Sequence, residues 1–116
     1  MSLDATAASR LRQLLDELER WNRSFNLTAI TQRAQMVTHH LLDSLSIAPL
    51  LRGERIIDIG TGAGFPGLPL AIIQPERQFT LLDSNGKKVR FVAHAARTLG
   101  LSNVAAVHAR AEQWQD

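Results

Sequence analysis

The residues with the clearest chemical potential are two aspartates and a glycine-rich segment between them. Asp58 stands near the end of one short apolar run and Asp83 directly after another, and four of the eight residues from Gly60 to Gly67 are glycine. Glycine permits positive φ and lets a ligand approach the backbone without meeting a Cβ. A helix that begins at such a turn adds unpaired N–H groups and a positive dipole end. The pattern predicts a site for a nucleotide-type cofactor, with a tight turn that binds nothing as the alternative.

The glycine spacing fits two registers. No Gly-Lys-Ser or Gly-Lys-Thr closes the segment, which excludes a phosphate-binding P-loop. Gly62, Gly64 and Gly67 match the G-x-G-x-x-G fingerprint of dinucleotide folds. In that fingerprint the first glycine follows the strand closely, which is the position of Gly60, and counting from Gly60 places Phe65 at the third glycine. The spacing alone therefore leaves both NAD and another nucleoside cofactor open.

Asp58 favours one of these ligands. A carboxylate at the mouth of the site would repel a pyrophosphate, whereas it suits S-adenosylmethionine, whose amino group and sulfonium are both positive. Asp58 could instead cap the amides of its own turn. We therefore expect the methyl donor, and a nicotinamide-dependent oxidoreductase is the second hypothesis, against which Phe65 argues.

Two further anchors are expected beside the nucleoside. Asp83 lies 23 positions after Gly60, close to the spacing at which an acidic residue accepts the ribose hydroxyls in dinucleotide and adenosylmethionine folds alike. Ala111 and Glu112 follow the last apolar run, where a backbone amide and a neighbouring acceptor could read the purine ring. The alternatives are that Asp83 caps a helix and that Glu112 is a solvated loop residue.

Two helices are expected to precede this site. Apolar residues at helical spacing predict a first helix over residues 4–22. A second helix is expected to begin at the N-cap Thr31 and to end near Pro49 and Gly53. Its apolar positions are Met36, Val37, Leu41, Leu45 and Ala48.

After the second helix the pattern changes to alternating strands and helices. Strands are expected at residues 56–59, 79–82 and 104–107, with helices at 66–73 and 86–99 between them. The β-branched first run is typical of a parallel strand buried on both faces. The order indicates an α/β fold with a parallel sheet and right-handed crossovers. Because an open sheet of this class would be expected to continue beyond these strands, we interpret the chain as a fragment with an incomplete sheet.

Composition limits both the chemistry and the location. The chain has 116 residues, a formal charge of +2 and a pI of about 9.9. This suits one domain, with a helical arm at 1–52 and the sheet at 53–116, and it permits a polyanionic partner. The absence of cysteine excludes a disulfide framework, a thiolate zinc site and a cysteine nucleophile. No signal peptide is found, and no apolar run reaches the roughly 18 residues of a membrane span, so a cytoplasmic protein without a membrane partner is expected.

Four segments of the chain resemble the RsmG family, also called GidB, which comprises bacterial methyltransferases of small-subunit ribosomal RNA. They are residues 26–30, beginning Asn-Leu-Thr, and residues 40–45, 58–72 and 81–84. The Gly-Phe-Pro-Gly sequence at 64–67 is more specific than a generic glycine motif. The resemblance implies a Rossmann-like class I methyltransferase sheet preceded by a helical arm. It also implies methyl transfer from S-adenosylmethionine to the N7 of a guanine in 16S ribosomal RNA, with that RNA or the small ribosomal subunit as partner.

The resemblance also implies which residues contact the cofactor. It places contacts on the cofactor at Gly60, Phe65, Ala111 and Glu112, and contacts near the ribose at Asp83 and Ser84. With the residues argued from the turn itself, the predicted cofactor set is Asp58, Gly60, Gly62, Gly64, Phe65, Asp83, Ser84, Ala111 and Glu112. Family members run on for several more strands, which this chain lacks, and these include a basic residue near the cofactor.

The arm carries the candidates for RNA contact, which are Asn26, His40, Asp43 and Ser44. The last three lie within one helical turn and would share a surface, although bracing the arm against the sheet is an equal alternative. Basic side chains of the arm and of the helix after Asp83 could meet phosphates, with solvated helix faces as the alternative. No metal site is expected, because His39, His40 and Asp43 lack a further ligand at suitable spacing.

Methylation of guanine N7 needs few side chains. N7 has an unprotonated lone pair that can attack the methyl carbon directly, so no general base and no catalytic residue is assigned. Trp21 continues the helical stripe, which favours core packing over stacking on a base, whereas Phe25 is a possible stacking residue. A third hypothesis is a non-catalytic module that binds RNA through its arm and has an incomplete cofactor turn.

Overall fold

A parallel sheet of three strands lies at the centre of the computed structural model, which describes residues 4–28 and 32–113. The strands are β1 (Arg55–Ile59), β2 (Gln78–Asp83) and β3 (Val104–His108), and their order in the sheet is β1-β2-β3. Ile59 pairs with Leu82, which in turn pairs with Val107, so the carboxyl ends of all three strands meet at one edge. The predicted α/β fold with a parallel, open sheet is confirmed.

Helix α1 (Ala5–Phe25) begins where Asp4 accepts a hydrogen bond from the Ala7 N–H at 2.7 Å. It ends at Asn26, whose positive φ of 50° stops the helix. The predicted end at residue 22 was wrong because Asn22 remains helical and uses its side-chain oxygen to accept the Thr28 N–H at 2.8 Å. No helix in the described part of the chain is long and apolar enough to cross a membrane.

The second helical segment of the arm is irregular. It consists of α2 (Arg33–Gln35), a π-helical stretch (Met36–Leu42) and α3 (Asp43–Leu45), followed by a 3-10 turn at Ala48–Leu50. The predicted N-cap Thr31 lies outside the described residues. Of the expected apolar positions, Met36, Leu45 and Ala48 are buried, while Val37 and Leu41 are half-buried against the core.

Two helices make the crossovers between the strands. Helix α4 (Gly67–Ile73) joins β1 to β2, and helix α5 (Gly86–Leu99) joins β2 to β3. Asn85 caps α5 by accepting hydrogen bonds from two N–H groups of its first turn, and Gly100, with a φ of 70°, ends it. Both helices therefore lie close to where the sequence places them.

The core lies on one face of the sheet. Side chains that alternate along the strands, such as Ile56 and Leu81, pack with α1, α4 and α5 in a single hydrophobic cluster. On the opposite face, Ile57 and Ile59 of β1 are 39% and 57% exposed, whereas Leu82 of β2 is buried. The expectation that β1 is buried on both faces was therefore wrong. A strand's composition reports its propensity, whereas the cover over each face comes from other elements.

Candidate cofactor site

The glycine turn, defined as residues Gly60–Gly67, leaves β1 at the carboxyl edge of the sheet. The backbone N–H groups of Gly60 and Thr61 both donate to the Leu82 carbonyl, at 2.8 and 3.0 Å. Gly64 N–H donates to the Thr61 carbonyl at 3.0 Å and closes the turn. The sequence places glycine here because both Gly60 and Gly62 have positive φ, of 73° and 61°.

The four glycines of the turn fall into two pairs. A Cβ on Gly60 or Gly62 would meet no heavy atom within 4 Å, so both positions face open space. A Cβ on Gly64 would overlap Leu68, and one on Gly67 would overlap Leu81 of β2. The first pair therefore leaves the backbone accessible to a ligand, and the second lets the turn and α4 pack against the core. A cofactor contact by Gly64 stays a prediction, which this buried position does not favour.

Asp58 braces the glycine turn. Its Oδ2 accepts the Thr61 hydroxyl at 2.7 Å and the Gly67 N–H at 3.2 Å. Burial raises the pKa of Asp58, and these two hydrogen bonds oppose that rise, while the nearby charge of Asp83 adds to it. This is the geometry expected for a carboxylate that caps its own turn. Attraction of a positive cofactor by Asp58 stays a prediction.

Asp83 connects three elements at the edge of the sheet. Its Oδ2 accepts the Gly62 N–H at 2.8 Å, and its Oδ1 accepts the Asn85 N–H, also at 2.8 Å, just before α5. An ionised carboxylate has about four acceptor positions, so both oxygens keep capacity for a further donor such as a hydroxyl. The side chain is half-buried and faces the cavity beside the turn.

A cavity of about 470 Å³ lies at this edge between β1, β2 and the segment after β3. This volume is within the range of about 300–1,000 Å³ that is typical of small-molecule sites. It brings together five of the predicted cofactor residues, which are Gly60, Asp83, Ser84, Ala111 and Glu112. A depression of similar size, about 480 Å³, runs along α5 and β3 and contains none of the predicted site residues.

The sequence analysis missed four residues that line this cavity, namely Ile59, Leu82, Ala109 and Arg110. Ile59, which is 57% exposed, supplies apolar surface, Leu82 is buried beneath the cavity, and exposed Arg110 supplies a positive charge. Ile59 and Leu82 are the final apolar residues of their runs, which is a signal that their strand ends would reach the cavity. Arg110 precedes the predicted Ala111 directly, so proximity in sequence was the available signal.

Local hydrogen bonds hold the segment after β3 over the cavity. Ala109 N–H donates to the Asp83 carbonyl at 3.1 Å, and Gln113 N–H donates to the Arg110 carbonyl at 3.0 Å within a 3-10 turn (Ala111–Gln113). His108 Nε2 lies 3.0 Å from the Ser84 carbonyl oxygen. The segment is thus attached to the end of β2 by backbone contacts that do not depend on a ligand.

Phe65 lies on the other side of the glycine turn and does not line the cavity. Its ring stacks on His40 of the arm, with the ring centroids 4.8 Å apart and the planes inclined by 28°. Burial, followed by the charge of neighbouring His39, lowers the pKa of His40. The predicted cofactor contact of Phe65 stays a prediction, and its packing against the arm is an observation that the sequence did not foresee.

The four predicted RNA contacts differ in exposure. Asn26 and Asp43 are exposed and accessible to a partner. His40 is half-buried with Nε2 3.0 Å from the Thr28 hydroxyl, and Ser44 is buried with its hydroxyl donating to the His40 carbonyl. The geometry of His40 and Ser44 fits the bracing alternative, and RNA contact by the four residues stays a prediction.

The aromatic residues at the end of α1 have separate environments. Trp21 packs against the core and contacts Phe91 of α5 with ring centroids 5.6 Å apart, so the core-packing prediction is confirmed. It also lies 4.9 Å from the ring of His94, which pairs with buried Glu17 at 3.0 Å. Phe25 is 42% exposed next to Trp21, and stacking on a base stays a prediction.

Comparison with known proteins gives consistent matches along the chain. Residues 7–116 match the family model described as rRNA small subunit methyltransferase G. The protein named Ribosomal RNA small subunit methyltransferase G from Chromohalobacter salexigens is 54% identical over 114 residues, covering 98% of this chain and 55% of that protein. Its namesake from Methylococcus capsulatus is 56% identical over 107 residues, covering 92% of this chain and 52% of that protein. The chain spans about half the length of the curated relatives it matches.

Proposed function

Because the chain belongs to the rRNA small subunit methyltransferase G (GidB) family, we propose that it provides the S-adenosylmethionine site of a methyltransferase that modifies guanine N7 in 16S ribosomal RNA. The single observation that carries this proposal is the cavity at the carboxyl edge, which gathers Gly60, Asp83 and Glu112 from three separate regions of the chain. The family supports a methyl donor, and nothing in the cavity favours the nicotinamide alternative.

The residues present fit a nucleoside cofactor. Gly60 and Gly62 leave open space where any other residue would place a Cβ, so the backbone can approach a ligand closely. Asp83 is held in place by two N–H donors and keeps acceptor capacity for ribose hydroxyls. Exposed Ile59 offers apolar surface for a purine, and Ala111 and Glu112 offer a backbone amide and an acceptor at the rim of the cavity.

In the proposed reaction, the chain positions the methyl donor and the guanine and does not need to transfer a proton. S-adenosylmethionine, when bound, supplies an electrophilic methyl group attached to a sulfonium. The N7 of guanine needs no deprotonation, so no general base is required from the chain. Asp83 and the glycine turn would orient the donor, and such positioning contributes up to about 7–11 kcal/mol in model reactions.

Ribosomal RNA of the small subunit is the proposed partner. Exposed Asn26, Asp43 and Arg23 support an RNA surface on the arm because they are accessible and can donate to or accept from a polar polymer. Exposed Lys87, at the start of α5, is a further basic residue that could meet a phosphate. Binding that depends on the basic residues would weaken steeply with salt.

Methyl transfer to isolated small-subunit RNA tests the proposal. The chain is incubated with the RNA and S-adenosylmethionine carrying a labelled methyl group, and N7-methylguanine is detected by borohydride reduction and aniline cleavage, which break the RNA at that base. We expect labelled RNA that is cleaved in this way. Retained RNA binding without transfer would favour the non-catalytic RNA-binding module, and label at another position would contradict the proposed target atom.

A further inference from the structure

A ring pair joins the helical arm to the glycine turn. His40, in the π-helical stretch, stacks on Phe65, which lies directly between Gly64 and Pro66 of the turn. Neither ring belongs to the lining of the cavity that contains Gly60 and Asp83.

His40 is held from two directions. Its Nε2 lies 3.0 Å from the Thr28 hydroxyl, and its backbone carbonyl accepts the hydroxyl of buried Ser44. The ring is half-buried, so it meets Phe65 as a neutral, apolar surface more than as a charge. The Thr28 contact restrains the ring, and the Ser44 contact restrains the backbone that carries it, both without any contribution from Phe65.

Phe65 has fewer restraints of its own. Its N–H donates to the Thr61 carbonyl at 3.2 Å, whereas the preceding Gly64 has a φ of 97°, a region that glycine adopts with little strain. The first half of the turn is restrained differently, because Asp83 holds Gly62 and the Leu82 carbonyl holds Gly60. The second half is held by the Gly67 N–H, which Asp58 accepts, and by the packing of Phe65 on the core and on His40.

We propose that His40 is a positioning residue for the cofactor turn, which it holds in its ligand-binding conformation by stacking on Phe65. This inference rests on the proposed function. It assigns the arm a role in the cofactor site. His40 would contact no ligand itself, but it would set the geometry of the turn that contacts the cofactor. A residue that only stabilised the fold would change the melting temperature and leave the cofactor affinity of the folded protein unchanged.

Three variants of the 116-residue chain separate these roles. His40→Ala removes the ring, and His40→Phe keeps an aromatic surface while it removes the contact with Thr28. His39→Ala is the matched control, because His39 is exposed on the same π-helical stretch and has no ring contact with a described residue. Thermal unfolding followed by circular dichroism is used to find a temperature at which every variant is folded.

Two measurements are made on each folded variant. The chain is labelled with para-fluorophenylalanine at its four phenylalanines, the Phe65 resonance is assigned by its loss in Phe65→Leu, and fluorine NMR reports the surroundings of that ring without any cofactor. Isothermal titration with S-adenosylmethionine gives the affinity. We expect the Phe65 resonance to shift in His40→Ala with about two- to tenfold weaker binding, the range of a lost aromatic pair. His40→Phe should restore affinity to within about twofold, and His39→Ala should match the unmodified chain in both measurements.

The possible failures are distinguishable. An unmoved Phe65 resonance in His40→Ala contradicts the inference whether or not a cofactor binds. A moved resonance with unchanged affinity also contradicts it, because the His40 ring would then be lost without consequence for the site. Absence of binding by the unmodified chain contradicts the proposed cofactor instead, and the fluorine spectrum still shows whether the His40 ring is in contact with Phe65.

Discussion

Asp83 Oδ2 accepts a hydrogen bond from the backbone N–H of Gly62 at 2.8 Å, which ties the end of β2 to the glycine turn that follows β1. The same carboxylate holds the Asn85 N–H at the start of α5. The residue expected to bind ribose therefore also shapes the turn beside it. These roles are compatible because each carboxylate oxygen can accept more than one hydrogen bond.

Replacing Asp83 by alanine should impair stability and cofactor binding together. The N–H groups of Gly62 and Asn85 lose their acceptor, and we expect the free energy of unfolding to fall by about 1–2 kcal/mol, as for other lost hydrogen bonds. Binding of S-adenosylmethionine should weaken by more than about tenfold, since a ribose acceptor is also removed. Urea unfolding and isothermal titration measure the two effects. Glu76→Ala, at an exposed position outside the cavity, is the control, and equal affinity in both variants would argue against ribose binding.

Gly60→Ala should abolish cofactor binding while the fold is kept. Its positive φ of 73° is matched by Gly53, whose φ is 83°, and a Cβ at either position meets no heavy atom within 4 Å. Both alanine variants should therefore lose a similar stability, about 1–2 kcal/mol for a strained left-handed residue. Only Gly60→Ala adds a methyl group to the cavity lining, so only it should lose titratable binding. Binding that survives equally in both would remove the case for close approach at Gly60.

Asp58→Asn separates the bracing role of Asp58 from its charge. Oδ2 accepts both hydrogen bonds, from Thr61 and Gly67, so an amide oxygen in the same place can keep both. Burial raises the pKa of Asp58 in the folded chain, which means that the fold favours the protonated carboxyl. The stability that this protonated group contributes is lost as the pH rises through its folded-state pKa. At neutral pH we therefore expect little change in unfolding free energy, within about 0.5 kcal/mol. Affinity for S-adenosylmethionine should fall about tenfold if the charge attracts the cofactor, and unchanged affinity would leave Asp58 as a brace alone.

Stability should depend on the protonation of His40. Burial lowers the pKa of His40 in the folded chain below the usual 6.5. At a pH between the folded-state pKa and 6.5, the unfolded chain therefore binds more protons than the folded chain. The free energy of unfolding should fall as the pH decreases through this window, and His40→Phe should lack that part of the fall. Urea unfolding at about pH 5.5 and about pH 7.5, the range in which histidine titrates, measures the difference. An identical pH dependence in the unmodified chain and His40→Phe would contradict this assignment.

The elements of the sheet could be predicted from the sequence because their signals are local. Short apolar runs that alternate with helical apolar stripes predicted the three strands and the two crossover helices. Parallel topology brings the carboxyl ends of the strands to one edge, and Asp83 and Glu112 both lie there. The end of α1 could not be placed in the same way, because it depends on the Asn22 side chain reaching Thr28 beyond the helix.

The contents of the site were less predictable because they depend on contacts between distant segments. Four glycines at close spacing look equivalent in sequence, yet Gly64 and Gly67 are required by Leu68 and Leu81, residues whose packing only the fold defines. The stacking of Phe65 on His40 likewise joins two segments that carry no mutual signal. Local spacing therefore located the turn, and tertiary packing decided which of its glycines face open space and which face the core.

Isothermal titration of the purified chain with S-adenosylmethionine, alongside a matched titration with NAD, tests the central claim most directly. Gly60 and Asp83 at the cavity favour a nucleoside ligand, and the family together with the charge of Asp58 favours the methyl donor, so we expect saturable binding of S-adenosylmethionine and none of NAD. Saturable binding of NAD with no heat from S-adenosylmethionine would contradict the proposed function.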